Sequence, residues 1–132
     1  MFRRVLAVVL GFITGFVLVV LIQMISAKMY PPPSDMLPQD TEAIKQYFST
    51  LPIQARLIIV LAHVVGTFGG CYIAAKLADK SKFYMAIVVG VLMLVSTISS
   101  NMASYIAVSI FLLDTLLTLA AVYLGARIGS RS

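Results

Sequence analysis

The chain has 132 residues, of which 61% are hydrophobic and only 11% are charged. A water-soluble domain has about a quarter of its residues charged, and a chain this short could not bury so much apolar surface in its own core. The composition therefore excludes an ordinary soluble domain and predicts a protein that uses the lipid bilayer as its solvent.

The formal net charge is +5, but the basic residues stand at the ends of apolar runs and do not form one patch. This distribution is typical of membrane topology and does not indicate a nucleic-acid partner. Cys71 is the only cysteine. An intrachain disulfide and a cysteine metal site are therefore excluded.

Four apolar runs approach the length of about 20 residues that a membrane-spanning helix needs. The first run is too long for a signal peptide, whose apolar core has about 7–15 residues. Ser99–Ser104 is the least apolar part of the last long run, so we place a turn there. The prediction is one all-α domain over 1–132, an integral membrane four-helix bundle with spans at about 5–26, 54–78, 83–100 and 105–128.

The outer loop at 27–53 is the only extended polar segment. Pro31–Pro33 predicts extended backbone, because each proline fixes its own φ and restricts its predecessor. Asp40 or Thr41 can then cap a short amphipathic helix. Its apolar face would be Ile44, Tyr47, Phe48 and Leu51. This helix either lies flat in the headgroup region or packs over the ends of the spans.

The basic residues also predict the orientation of the chain. With the amino terminus inside, three basic residues face outward, namely Lys28, Lys45 and Arg56. Seven then face the cytoplasm: Arg3, Arg4, Lys76, Lys80, Lys82, Arg127 and Arg131. Both termini are therefore predicted to be cytoplasmic.

Three of the predicted spans carry small residues at every fourth position. On a helix this spacing forms a groove along which a second backbone can approach closely. The second span has the longest such stripe, and the first and fourth spans have shorter ones. The predicted packing residues are Ala62, Gly66, Gly70 and Ala74 in the second span, Gly11 and Gly15 in the first, and Ala121 and Gly125 in the fourth.

The second span also carries a family resemblance. Residues 61–70 read Leu-Ala-His-x-x-Gly-Thr-x-x-Gly, followed by Ala-Ala-Lys at 74–76. This stretch resembles a family of short, uncharacterised bacterial four-span membrane proteins. The proline run, Phe83, Gly90 and an aspartate in the fourth span are similar too, whereas Ser99–Ser104 departs from the proline and tryptophan expected there. The resemblance implies a bacterial inner membrane and no particular reaction.

No arrangement of catalytic groups, metal ligands or phosphate-binding loop is recognisable, so no cofactor or metal is predicted. Two polar residues nevertheless lie deep in spans, His63 and Asp114. Each stands about nine residues in from the outer end of its helix, which puts both near the middle of the bilayer. We predict that they face each other inside the protein. In a simple up-down bundle their helices are diagonal, so contact would cross the centre through water, Thr67 or Thr14.

The sequence is compatible with two functions. The pair is either a hydrogen bond between helices or a site for protons or a polar substrate. The first hypothesis is a non-enzymatic helix-packing accessory subunit or a homo-oligomeric structural protein. Its partners would be the lipid bilayer and either further copies of the chain or another membrane protein. The alternative is a small oligomeric transporter or channel that uses the His63–Asp114 pair. An enzyme is the weakest hypothesis because acid, base and metal sets are missing.

Overall fold

The computed structural model describes residues 2–31, 37, 39–103 and 108–131. These residues are mainly helical and contain no strand, which confirms the all-α prediction. The helices are α1 (Phe2–Met29), α2 (Thr41–Thr50), α3 (Ile53–Leu77), α4 (Lys82–Ala103) and α5 (Val108–Arg131). Pro32, Pro33, Ser104 and Tyr105, on which parts of the loop and hairpin predictions fall, lie outside the described residues.

Four of the helices, α1, α3, α4 and α5, are long and apolar enough to cross a membrane. Their outward faces carry large apolar side chains, such as Ile13, Leu61, Val95 and Leu116, that are about half exposed or more. A water-soluble monomer rarely shows so much contiguous apolar surface. The chain is therefore a multi-pass membrane protein.

Helix α3 is the centre of the bundle. It packs against α1, α4 and α5, and α4 also touches α1 and α5. Within the described residues α1 and α5 do not pack against each other. The expected diagonal placement of the second and fourth spans is therefore wrong, because α3 and α5 are direct neighbours.

The glycine stripes explain this arrangement. A Cβ added to Gly11 would lie 2.8 Å from the Gly70 oxygen, and one added to Gly15 would lie 2.8 Å from the Gly66 oxygen. On the other side of α3, a Cβ on Gly125 would lie 2.7 Å from the Phe68 oxygen. Only glycine leaves room for backbones this close. The stripes of α1, α3 and α5 are thus used for packing within the chain.

Helix α2 packs on the start of α3. Asp40 caps it by accepting a hydrogen bond from the Ala43 amide at 3.1 Å. The Tyr47 hydroxyl donates to the Tyr30 carbonyl at 2.7 Å, and burial raises the pKa of Tyr47, so this donor keeps its proton. Tyr47 and Phe48 pack on a small core of Leu51, Ala55 and Ile59. Helix α2 therefore contacts the start of α3 and Tyr30, which follows the end of α1.

The predicted turn at Ser99–Ser104 is wrong over its first five residues, since α4 continues through Ala103. Serine and asparagine lower the hydropathy of this stretch, which made it look like a loop. Asn101 is buried, however, and bonds within the bundle, so its polarity is directed inward. Tertiary contacts override the weak preference of asparagine for turns.

Candidate functional site

A group of polar side chains is buried inside the bundle, where α3, α4 and α5 meet. Each of them is at most 3% exposed, and Asp114 is fully buried at 0%. Its members are His63 and Thr67 on α3, Thr97 and Asn101 on α4, and Asp114 and Thr118 on α5. We call these six residues the polar cluster.

The structure brings His63 and Asp114 into direct contact. The imidazole Nδ1 lies 2.6 Å from the carboxylate Oδ2. This contact needs no bridging water or threonine, because the close approach of α5 at Gly125 and Gly129 holds the two helices side by side. Thr14, one of the predicted bridges, donates its hydroxyl to the Leu10 carbonyl of its own helix.

Two further donors complete the surroundings of the Asp114 carboxylate. The Asn101 amide nitrogen donates to Oδ2 at 2.8 Å, and the Thr118 hydroxyl donates to Oδ1 at 3.2 Å. The carboxylate therefore has contacts from α3, α4 and its own helix. An ionised aspartate at the centre of a membrane helix costs about 2.5–3.5 kcal/mol on insertion scales. Hydrogen bonds to an ionised acceptor are stronger than neutral ones and offset part of that cost.

Sequence reasoning missed Asn101 and Thr118. Thr118 follows Asp114 by four residues, which places both on one face of α5. Asn101 follows Thr97 by four residues in the same way on α4. Polar residues paired at helical spacing within an apolar segment were therefore the signal. For Asn101 this signal was obscured, because the predicted turn at Ser99–Ser104 includes that residue.

Two buried polar atoms of the cluster, Thr67 Oγ1 and Asn101 Oδ1, have no hydrogen-bond partner within the described part of the chain. A buried polar group without a partner is uncommon because it loses its contacts with water and gains nothing in exchange. Each oxygen can still accept a hydrogen bond. The cluster therefore has capacity for a further donor beside the His63–Asp114 pair.

The position of the cluster along the bundle follows from the helix ends. Asn101 is two residues before the end of α4, whereas His63 is ten residues after the start of α3. At about 1.5 Å per residue, Asn101 lies about 3 Å from the described end of α4, and His63 lies about 15 Å from the start of α3. The cluster is thus closer to the α4–α5 connection than to the opposite end of the bundle.

The arrangement is suited to holding and moving a proton. Imidazole and carboxylate are both titratable, and at 2.6 Å one proton can sit on either atom of the contact. Among the described residues no group of three or more histidine, cysteine or acidic side chains could hold a metal ion. Cys71 lies about two turns after His63 on α3, in the apolar core between α3, α4 and α5.

The remaining predicted site residues lie at helix contacts. Gly11, Gly15, Gly66 and Gly70 form the α1–α3 contact together with Ala74, which faces Gly11. Ala62 is fully buried in α3, and Ala121 is buried on α5 beside a shallow apolar groove that Val64 and Phe68 also line. No protein-family model, curated protein or solved structure matches the chain.

Proposed function

We propose that the protein is a small transporter or channel subunit of the bacterial inner membrane, and that its His63–Asp114 pair takes up and releases protons. One observation carries the proposal. A fully buried carboxylate contacts an imidazole at 2.6 Å and is held by donors from two further positions. Ionisable groups in membrane spans are costly, and they mark ion and proton pathways more often than plain packing sites.

The chemistry of the pair supports protons as the transported or sensed species. When the pair holds one proton, a neutral imidazole faces a carboxylate. Adding a second proton converts the imidazole to an imidazolium that faces the carboxylate. The unpaired acceptors Thr67 Oγ1 and Asn101 Oδ1 can accept a hydrogen bond from a water or hydronium ion in the polar cluster. Removing the carboxylate charge by substitution would abolish this exchange while retaining the shape of the side chain.

The proposal includes assembly from several copies, since four spans seldom enclose a pore. Helix α3 has one uncovered side between α1 and α5, where Leu57, Leu61 and Val65 are 37–53% exposed. A second copy seated there would extend the bundle. The basic-residue count supports an orientation with both termini in the cytoplasm.

The test is proton flux in vesicles that contain the purified protein and a trapped pH-sensitive dye, with a potassium gradient and valinomycin as the driving force. We expect flux for the natural sequence and a fall to the level of protein-free vesicles for Asp114→Asn. Thr115→Val is the matched control, because within the described part of the chain the Thr115 hydroxyl bonds only to the Phe111 carbonyl of its own helix. It should leave flux unchanged.

Each variant is also unfolded thermally in detergent, to separate lost transport from lost folding. Asp114→Asn keeps an acceptor oxygen, so we expect a folded protein with no flux. Absence of flux from the natural sequence, or full flux from Asp114→Asn, would contradict the proposal.

A helix-packing accessory subunit is the second candidate, favoured by the same uncovered side of α3. The glycine stripes no longer support it, because the chain's own helices fill them. A photo-crosslinking residue at position 61, compared with one at 116 on the outer face of α5, tests it in native membranes. Capture of one defined membrane protein from position 61 alone, without flux, would favour this function over transport.

A further inference from the structure

An apolar groove with a basic residue at its end lies between α1 and α4. It has a volume of about 370 Å³, and it is lined by Arg4, Val5, Val8, Val9, Met85 and Val88. The contact between α1 and α4 is the loosest in the bundle, because α1 makes its close approach to α3 instead. The groove therefore faces the membrane and lies open along the side of the protein.

The end of the bundle beside this groove is strongly basic. The starts of α1 and α4 and the ends of α3 and α5 meet there, as the contact of Arg3 with the Leu77 carbonyl illustrates. Asp79 is the only acidic residue at this end. The basic residues are Arg3, Arg4, Lys76, Lys80, Lys82, Arg127 and Arg131. Among the described residues, the opposite end has Lys28, Lys45 and Arg56 together with Asp40 and Glu42, so these charges nearly balance.

We propose that the α1–α4 groove is a binding site for an anionic phospholipid. One acyl chain lies along the valines and Met85, and the phosphate sits at the level of Arg4 and Lys82. Lys82 is the first residue of α4 and precedes Met85 by about one turn, so it stands at the same end of the groove as Arg4. Basic pockets between membrane helices select anionic headgroups in this way.

The two arginines near the amino terminus differ in their availability. The Arg3 Nε donates to the Leu77 carbonyl at 2.9 Å, so this side chain holds α1 against the end of α3. The Arg4 guanidinium makes no hydrogen bond or ion pair with a described residue, although it interacts electrostatically with Asp79 at longer range. Arg4 lines the groove with its donors available. Guanidinium donors match phosphate oxygens in geometry and charge, so Arg4 can bind the phosphate beside Lys82.

The test measures lipid selectivity of the purified full chain. Native mass spectrometry compares retention of phosphatidylglycerol with retention of phosphatidylcholine of the same acyl composition. We expect a preference for phosphatidylglycerol that falls about fivefold in Arg4→Gln and about as much in Lys82→Gln, since one basic residue near the phosphate has an effect of that order. Lys45→Gln, at the opposite end, is the matched charge control and should keep the preference.

A second pair of variants tests the groove itself. Val88→Trp fills it, and Val95→Trp places the same side chain about two turns further along α4, outside the lining. Both positions are exposed, so both variants should fold. We expect lipid retention to fall only for Val88→Trp, and inorganic phosphate not to displace the lipid. Loss of preference in Lys45→Gln, equal retention by both tryptophan variants, or displacement by inorganic phosphate would overturn the proposal.

Discussion

Substituting Gly70 by alanine should separate α1 from α3. A Cβ on Gly70 would lie 2.8 Å from the Gly11 oxygen, which is 0.6 Å short of the 3.4 Å at which ordinary contact begins. The obstructing atom is a backbone oxygen, so no side-chain rotation relieves the clash. The two helices would have to move apart along a contact that is otherwise backbone against backbone.

The expected magnitude follows from two opposing effects. Overpacking costs about 1–3 kcal/mol in well-packed interiors. Replacing a mid-helix glycine by alanine returns up to about 1 kcal/mol of helix propensity. We therefore expect Gly70→Ala to lower the free energy of unfolding by about 1–2 kcal/mol, and Gly70→Leu to lower it further because a longer side chain needs more space.

Gly69→Ala is the matched control. It is the adjacent residue on the same helix, and its added Cβ would meet only the Leu18 Cδ1, the end of a flexible side chain. This variant should have the natural stability or slightly more. Reversible unfolding in mixed dodecyl maltoside and SDS micelles measures the difference. Equal losses for the two variants, or a larger loss for Gly69→Ala, would refute the assignment of the Gly70 side of α3 to the α1 contact.

Two further predictions concern α2 and the topology of the chain. Tyr47→Phe removes the hydrogen bond to Tyr30 and should lower the free energy that holds α2 in place by about 1 kcal/mol. We expect several-fold faster amide hydrogen exchange in α2. Ser49→Ala is the control and should leave the exchange rate unchanged, because the Ser49 hydroxyl bonds within α2. An unchanged exchange rate in Tyr47→Phe would contradict the docking of α2. Reporter fusions after Asp79 and after Ser132 should both read cytoplasmic, because the basic residues concentrate at that end of the bundle. A periplasmic signal from either fusion would reject the orientation.

The sequence alone determined the helical character of the chain. An apolar stretch of about 20 residues forms an α-helix in a bilayer, because only a helix satisfies every backbone donor and acceptor within the segment. The aspartate cap of α2 and its apolar spacing are equally local, because they depend on residues within one or two turns. The glycine spacing likewise identified which faces pack closely.

Only the tertiary structure decided which helices those faces meet. The stripe on α3 reads the same whether its partner is α1, a second copy or another protein, because a groove of small residues carries no information about the helix that fills it. The contact of Gly11 with Gly70 assigns it to α1, and the contact of Gly125 with Phe68 places α5 on the other side. That choice makes α3 and α5 neighbours instead of diagonal partners.

The candidate site also contains residues that the sequence identified and residues that only the structure assigned to it. His63 and Asp114 could be singled out from the sequence because a titratable group in an apolar span is costly and therefore rare. Asn101 could not be assigned to the site, because asparagine is common in turns and its polarity alone does not distinguish a loop from a buried bond. Its role depends on where α4 ends and on which side α5 packs. Those features come from contacts between residues far apart in the chain, and local preferences do not encode them.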